Sequence, residues 1–82
     1  MQYEIKFEKR AFKFISKQPQ KQKERILQAI ARLPFSGDIK AMSGSRNYYR
    51  LRVGDYRIIY TLDHDVLLIT VVDANNRGDI YK

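Results

Sequence analysis

The sequence predicts an α+β fold in which an N-terminal strand and a helical hairpin precede a mainly antiparallel sheet, in the order β-α-α-β-β-β. Three observations predict it. "QYEIKF" alternates apolar and polar residues with period two, the pattern of a half-buried strand. Between Ala11 and Leu33 the apolar residues recur at helical spacing, with Pro19 interrupting them. "NYYRLRVGDYRIIY" then reads as two strands around Gly54-Asp55, and "VLLITVVD" follows as a further strand. Its 82 residues are read as a single domain, 1–82, because this length supports one core but not two.

In the first strand Tyr3, Ile5 and Phe7 share one side, with Glu4 and Lys6 on the other. The first helix presents Ala11, Phe12 and Ile15 along one stripe. Pro19 ends it and is well placed to open the second, since proline is tolerated in a first helical turn. Ile26, Leu27, Ile30 and Leu33 continue the apolar stripe until Pro34 stops it. "PFSGDIKAMSGS" is rich in turn formers and is expected to be a loop leading into the hairpin. "LDHD" turns the chain into "VLLITVVD", whose apolar residues on both faces predict a central or doubly covered strand. "ANNRGDIY" is expected to be a turn followed by a short terminal strand.

Composition narrows the function. Sixteen Lys plus Arg against nine Asp plus Glu give a formal net charge of +7, which favours a polyanionic or acidic partner. There is no cysteine, which excludes disulfides, thiolate metal sites and a thiol nucleophile. The single histidine argues against a protein-only metal site; neither metal nor cofactor is expected. The longest apolar stretch, Val66 to Val72, falls far short of the ~20 residues of a membrane helix. The N-terminus lacks the apolar segment of a secretion signal. A soluble cytoplasmic protein with no membrane partner is the expectation. Eight of the sixteen basic residues lie between Lys6 and Arg25 and read as the solvated faces of the two helices.

The hairpin basic residues are different. A two-residue loop with glycine first suits a type II′ turn, and it sets the register: Val53 faces Tyr56, Arg52 faces Arg57, Leu51 faces Ile58 and Arg50 faces Ile59. Tyr49, Leu51, Val53, Tyr56, Ile58 and Tyr60 therefore share one face, and Tyr48, Arg50, Arg52, Arg57, Ile59 and Thr61 the other. Two arginines directly opposite each other cost sheet stability. The following strand returns antiparallel, bringing Asp73, Asn75, Asn76 and Arg77 toward the Gly54 end and Tyr81 within approach of Arg52 and Arg57. His64 falls at the far turn, out of reach of that cluster, so it reads as a turn residue between Asp63 and Asp65.

Guanidiniums match phosphate oxygens bidentately and keep their charge near neutral pH. Four of them beside a tyrosine suit a phosphodiester: they would stabilise the added negative charge of a phosphorane formed when a ribose 2′-OH attacks its own 3′-phosphate. A basic sheet face with aromatics is equally how proteins bind RNA without cutting it.

"YYRLRVGDYRIIY" together with "VVDANNRGDIY", preceded by the β-α-α segment and "ARLP", resembles the RelE/ParE toxin superfamily, and within it the RelE-like messenger-RNA interferases. The similarity spans essentially the whole chain. It implies a compact sheet with a helical hairpin on one face, metal-independent cleavage of mRNA in the ribosomal A site with inhibition of translation, and a cognate antitoxin. It assigns Arg50 and Arg52 to the scissile region and to activation of the 2′-OH, Arg57 to the phosphate, Arg77 to the leaving group and Tyr81 to the base or nucleophile. Tyr48 and Arg46 are taken as RNA-binding residues beside these.

The sequence departs from the family pattern in two places. Asn75-Asn76 stands where relatives frequently have Gly-His or Gly-Lys before the late arginine, and both early basic positions are arginine, which cannot take a proton from a hydroxyl. A mechanism resting on charge stabilisation and ribosome-imposed geometry is therefore expected. The alternatives are a ParE-like gyrase inhibitor without enzymatic activity and an RNA-binding domain without turnover.

Overall fold

In the computed structural model, which describes residues 3–42, 44 and 47–76, the elements follow the order β1 (Glu4–Phe7), α1 (Lys9–Ser16), α2 (Gln20–Ala31), β2 (Asp38–Ala41), β3 (Tyr48–Val53), β4 (Tyr56–Asp63) and β5 (Leu68–Asn76). The sheet order is β1-β5-β4-β3-β2. β1 runs parallel to β5, with Glu4 opposite Leu68 and Phe7 opposite Val71; the remaining neighbours are antiparallel.

The helical hairpin forms as its sequence pattern requires. Pro19 occupies the position preceding α2, where its missing N–H costs nothing. Ala11 and Ile15 from α1 and Ile26 and Ile30 from α2 reach the core. There they join Leu51, Ile58, Tyr60, Ile69 and Val71, all from the opposite side of the sheet to the arginines. Each such aliphatic side chain contributes roughly 1.5–3 kcal/mol relative to exposure. Gln18, between the helices, accepts a hydrogen bond from the Tyr56 hydroxyl at 3.0 Å, and Phe14 meets the Tyr56 ring edge-on at 6.1 Å, so the helix turn is tied to the start of β4.

The hairpin register agrees pair for pair with the sequence expectation, Arg52 opposite Arg57 included. Gly54 has a φ of 60°, whereas Asp55 is not among the residues with positive φ, as a type II′ turn demands. β5 is central, between β1 and β4, and packs against α1; Ile69, Val71 and Ala74 are buried on the core side, while Leu68 and Val72 on the other are half-buried.

Two segments differ from expectation. Asp38–Ala41, expected within a loop, is an edge strand paired to β3. It escaped because three of its four side chains are exposed, leaving Ile39 as the only inward apolar marker. Ala74, Asn75 and Asn76, expected in a turn, extend β5 opposite Ile58, Arg57 and Tyr56. Asparagine disfavours strands intrinsically, but a long partner strand overrides that preference. The terminal strand expected near Tyr81 lies outside the described residues.

Candidate functional site

Period-two alternation places Lys40 on β2, Arg50 and Arg52 on β3, and Arg57 on β4 on the sheet face opposite the helices. Lys40 pairs across to Arg50, and Arg52 lies between Asp38 and Arg57. Arg57 in turn has Asn75 of β5 as its other neighbour. Lys40, Arg50 and Arg57 line a shallow cleft of about 340 Å³ whose floor includes Ile59 and whose wall includes Met42. Arg50, Arg52 and Arg57 are each half-buried, as expected of side chains whose aliphatic stems lie along the sheet while their charged heads keep access to solvent.

Among the described residues no carboxylate lies within 4.0 Å of any of these four cations; the ion pair recorded there is Arg10 with Asp73, at 3.8 Å. Asp38, the cross-strand neighbour of Arg52, shares the face without closing to ion-pair distance, so the four cations leave an excess of positive charge that a multivalent anion would neutralise. Two further atoms on the face are unsatisfied: Arg50 Nε, a donor, and Asn75 Oδ1, an acceptor, are buried without hydrogen-bond partners.

Met42 and Ile59 also line a second depression, of about 600 Å³, which contains Tyr48, Lys9, Arg10 and Asp73. Its register depends on an irregularity. Ile59 faces Asp73 while Tyr60 faces Val71, so Val72 is the extra residue of a bulge. The bulge brings Asp73 opposite Ile59, and Val72 and Asp73 both line the depression. Tyr48 is 40% exposed, and its ring is available at this surface. Tyr60, on the core side, is stacked on Tyr49 with ring centroids 5.5 Å apart. Burial, reinforced by Tyr49, pushes its phenol up to about 12, which removes it from any proton-transfer role near neutral pH.

The structure therefore brings together Tyr48, Arg50, Arg52 and Arg57. Arg46, Arg77 and Tyr81 lie outside the described residues. His64 lies at the opposite end of β4 from Arg57, with its Nδ1 3.1 Å from the Tyr3 hydroxyl. Asp63 beside it accepts hydrogen bonds from the backbone N–H groups of Asp65 and Val66, an arrangement that shapes the turn. Among the described residues no group of three His, Asp or Glu side chains is placed to hold a metal ion, and no helix is long and apolar enough to cross a membrane. Lys40 and Asn75 were absent from the residues singled out in the sequence as site members. Reading "DIKA" as a strand with Ile39 inward would have put Lys40 on the arginine face.

Residues 5–81 match the family described as the ParE toxin of the type II toxin–antitoxin system parDE. The chain belongs to this toxin family, within the RelE/ParE superfamily. The toxin is similar to a chain of the RelB–RelE antitoxin–toxin complex from Methanococcus jannaschii, at 32% identity and a TM-score of 0.76 over 93% of this chain and 94% of that one. It is also similar to a chain of the archaeal RelE–RelB complex from Pyrococcus horikoshii, at 27% identity and a TM-score of 0.81 over 95% and 98%. The likeness to the intact RelBE toxin–antitoxin complex from E. coli, at 22% identity and a TM-score of 0.76 over 90% and 95%, shows the shared fold. Among curated proteins there is no significant match.

Proposed function

We propose that this toxin is a ribosome-dependent mRNA endoribonuclease that cleaves by attack of a ribose 2′-OH on the adjacent phosphate. One observation carries the reading: Lys40, Arg50 and Arg57 converge on one concave sheet face, with Arg52 alongside, and among the described residues no carboxylate comes within 4.0 Å of them. The reaction adds negative charge at phosphorus, and fixed cations around the phosphate stabilise that charge without reorganising. Arginine cannot act as the base, so the arginines hold and polarise the phosphate while the ribosome imposes the in-line geometry of the 2′-oxygen. Arg57, flanked in register by Arg52 and Asn75, is assigned to the phosphate. Arg50 and Arg52 are assigned to the scissile nucleotides, Tyr48 and Arg46 to RNA binding, and Arg77 and Tyr81 to the leaving group and base. No metal or cofactor takes part in this scheme.

The toxin's cognate partner is an antitoxin, by analogy with the RelB chains that accompany its relatives from M. jannaschii and P. horikoshii. The match to a family described by ParE favours a second reading, inhibition of DNA gyrase by binding. Mapping mRNA 5′ ends after brief expression separates the two. Discrete new ends within translated frames are expected. Growth arrest with intact mRNA and accumulated gyrase–DNA complexes would overturn endonucleolytic cleavage.

A further inference from the structure

The unsatisfied atoms recorded among the described side chains are Arg50 Nε and Asn75 Oδ1, both on the basic face. A buried polar atom without a partner costs about 1–3 kcal/mol, so native structures rarely keep one idle. Arg50 Nε is explained by an anion, since a phosphate oxygen accepts from it. Asn75 Oδ1 is not. It is an acceptor, and a phosphodiester offers it nothing, because all the exposed groups of a phosphodiester are acceptors too.

The ligand must therefore also bring a donor to Asn75. Two parts of a polynucleotide carry donors: the ribose hydroxyl and the amino or imino groups of the bases. Register favours the ribose. Asn75 is directly opposite Arg57 on the neighbouring strand, and the sugar, being bonded to the phosphate, is the donor-bearing part of the ligand that stays nearest to a phosphate held by Arg57. Asn75 is half-buried on the strand next to Arg57, outside the lining of the cleft itself, and its terminal torsion is soft enough to turn the buried oxygen toward a ligand that extends past Arg57.

We propose that Asn75 is a specificity-determining residue that accepts a hydrogen bond from a ribose 2′-OH and so makes this face select RNA over DNA. The inference rests on the reading of the face as an RNA site and adds to it the residue that recognises the sugar. It also gives Asn75 a role that does not require proton transfer, as an amide can accept a hydrogen bond but not a proton near neutral pH.

The test measures equilibrium binding of the toxin to three strands of identical sequence: oligouridylate, its 2′-deoxy form and its 2′-fluoro form. The last keeps an RNA-like sugar pucker but has no donor. Wild type is expected to bind the ribose strand about five- to tenfold more tightly than either analogue, the scale of one hydrogen bond. Asn75→Leu should bind all three alike, at the level of the analogues, with a melting temperature equal to or above that of wild type. Arg57→Ala should weaken all three together. Should Asn75→Leu fail to fold, the wild-type comparison of ribose with 2′-fluoro strands still decides. Equal wild-type affinity for those two overturns the role of Asn75. So does a ribose preference that survives Asn75→Leu, and so does an equal loss for all three strands, which would assign the donor to the base. Discrete mRNA cuts accompanying any of these results would leave the proposed cleavage standing, whereas absence of both cuts and binding would remove the RNA reading itself.

Discussion

Arg52 and Arg57 are cross-strand neighbours in the β3–β4 hairpin, two guanidiniums directly opposed on the sheet face away from the core. Like charges in that position destabilise a sheet by about 0.2–1 kcal/mol. Replacing Arg57 with alanine should therefore leave stability unchanged or raise it by up to about 1 kcal/mol. Activity should move the other way. Loss of one charge-stabilising donor is expected to slow single-turnover cleavage on programmed ribosomes by about 10²–10³-fold. A variant cleaving at the parental rate would exclude Arg57 from the reaction.

Lys40 reaches the same cleft from the neighbouring edge strand, opposite Arg50. If it contributes charge to phosphate binding, Lys40→Arg should retain most activity and Lys40→Ala should lose about tenfold or more, with a shallower salt dependence of RNA binding. Equal activity in both variants across a salt titration would show that the cleft works without the edge strand.

Gly37 immediately precedes that strand, with a φ of 129°, and a Cβ there would lie 2.8 Å from Leu51 Cδ1. Leu51 is only 1% exposed and is locked in the core. Gly37→Ala should cost about 1–3 kcal/mol in chemical denaturation, the usual scale of backbone strain. Because the displaced element carries Lys40, cleavage should fall with it. An unaltered denaturation midpoint would refute the strain.

Tyr60 gives a pH dependence. Its phenol is pushed up from 10 to about 12 by burial, with Tyr49 adding to the effect. The folded state binds the phenolic proton more tightly than the unfolded chain, so this contribution is fully present below pH 10 and is lost as pH rises through about 12. The sign is a fall in stability across that window, on the order of 2–3 kcal/mol. Tyrosinate absorbance should show a component titrating near pH 12 that is absent in Tyr60→Phe. Loss of absorbance at lower pH in Tyr60→Phe, with the late component retained, would contradict it.

What the sequence disclosed depended on how many residues reported each feature. The hairpin register was legible because Gly54-Asp55 permits one turn geometry, and every pair then follows by counting. The helices were legible from apolar stripes crossing several turns and from Pro19 between them. β2 was not, because a short edge strand with one inward apolar residue lacks enough repeats to show a period. Lys40 was missed for that reason alone. Asn75 was hidden differently: its residue type signals a turn, and only pairing with β4 makes it part of a sheet. The bulge at Val72 carried no local marker, yet it decides that Asp73 lies opposite Ile59.

The parallel pairing of β1 with β5 also bears on how the protein comes into being. Glu4, near the start of the chain, is registered against Leu68, near its end, and β5 simultaneously supplies the partner of β4. Contacts so distant in sequence form late and slow folding. During synthesis the first strand has no partner until β5 has left the exit tunnel, and the face bearing Arg57 has no neighbour on its Asn75 side until the same moment. The strand that closes the sheet is thus also the strand that completes the surface around Arg57, and neither exists in a chain that has not yet formed this long-range pairing.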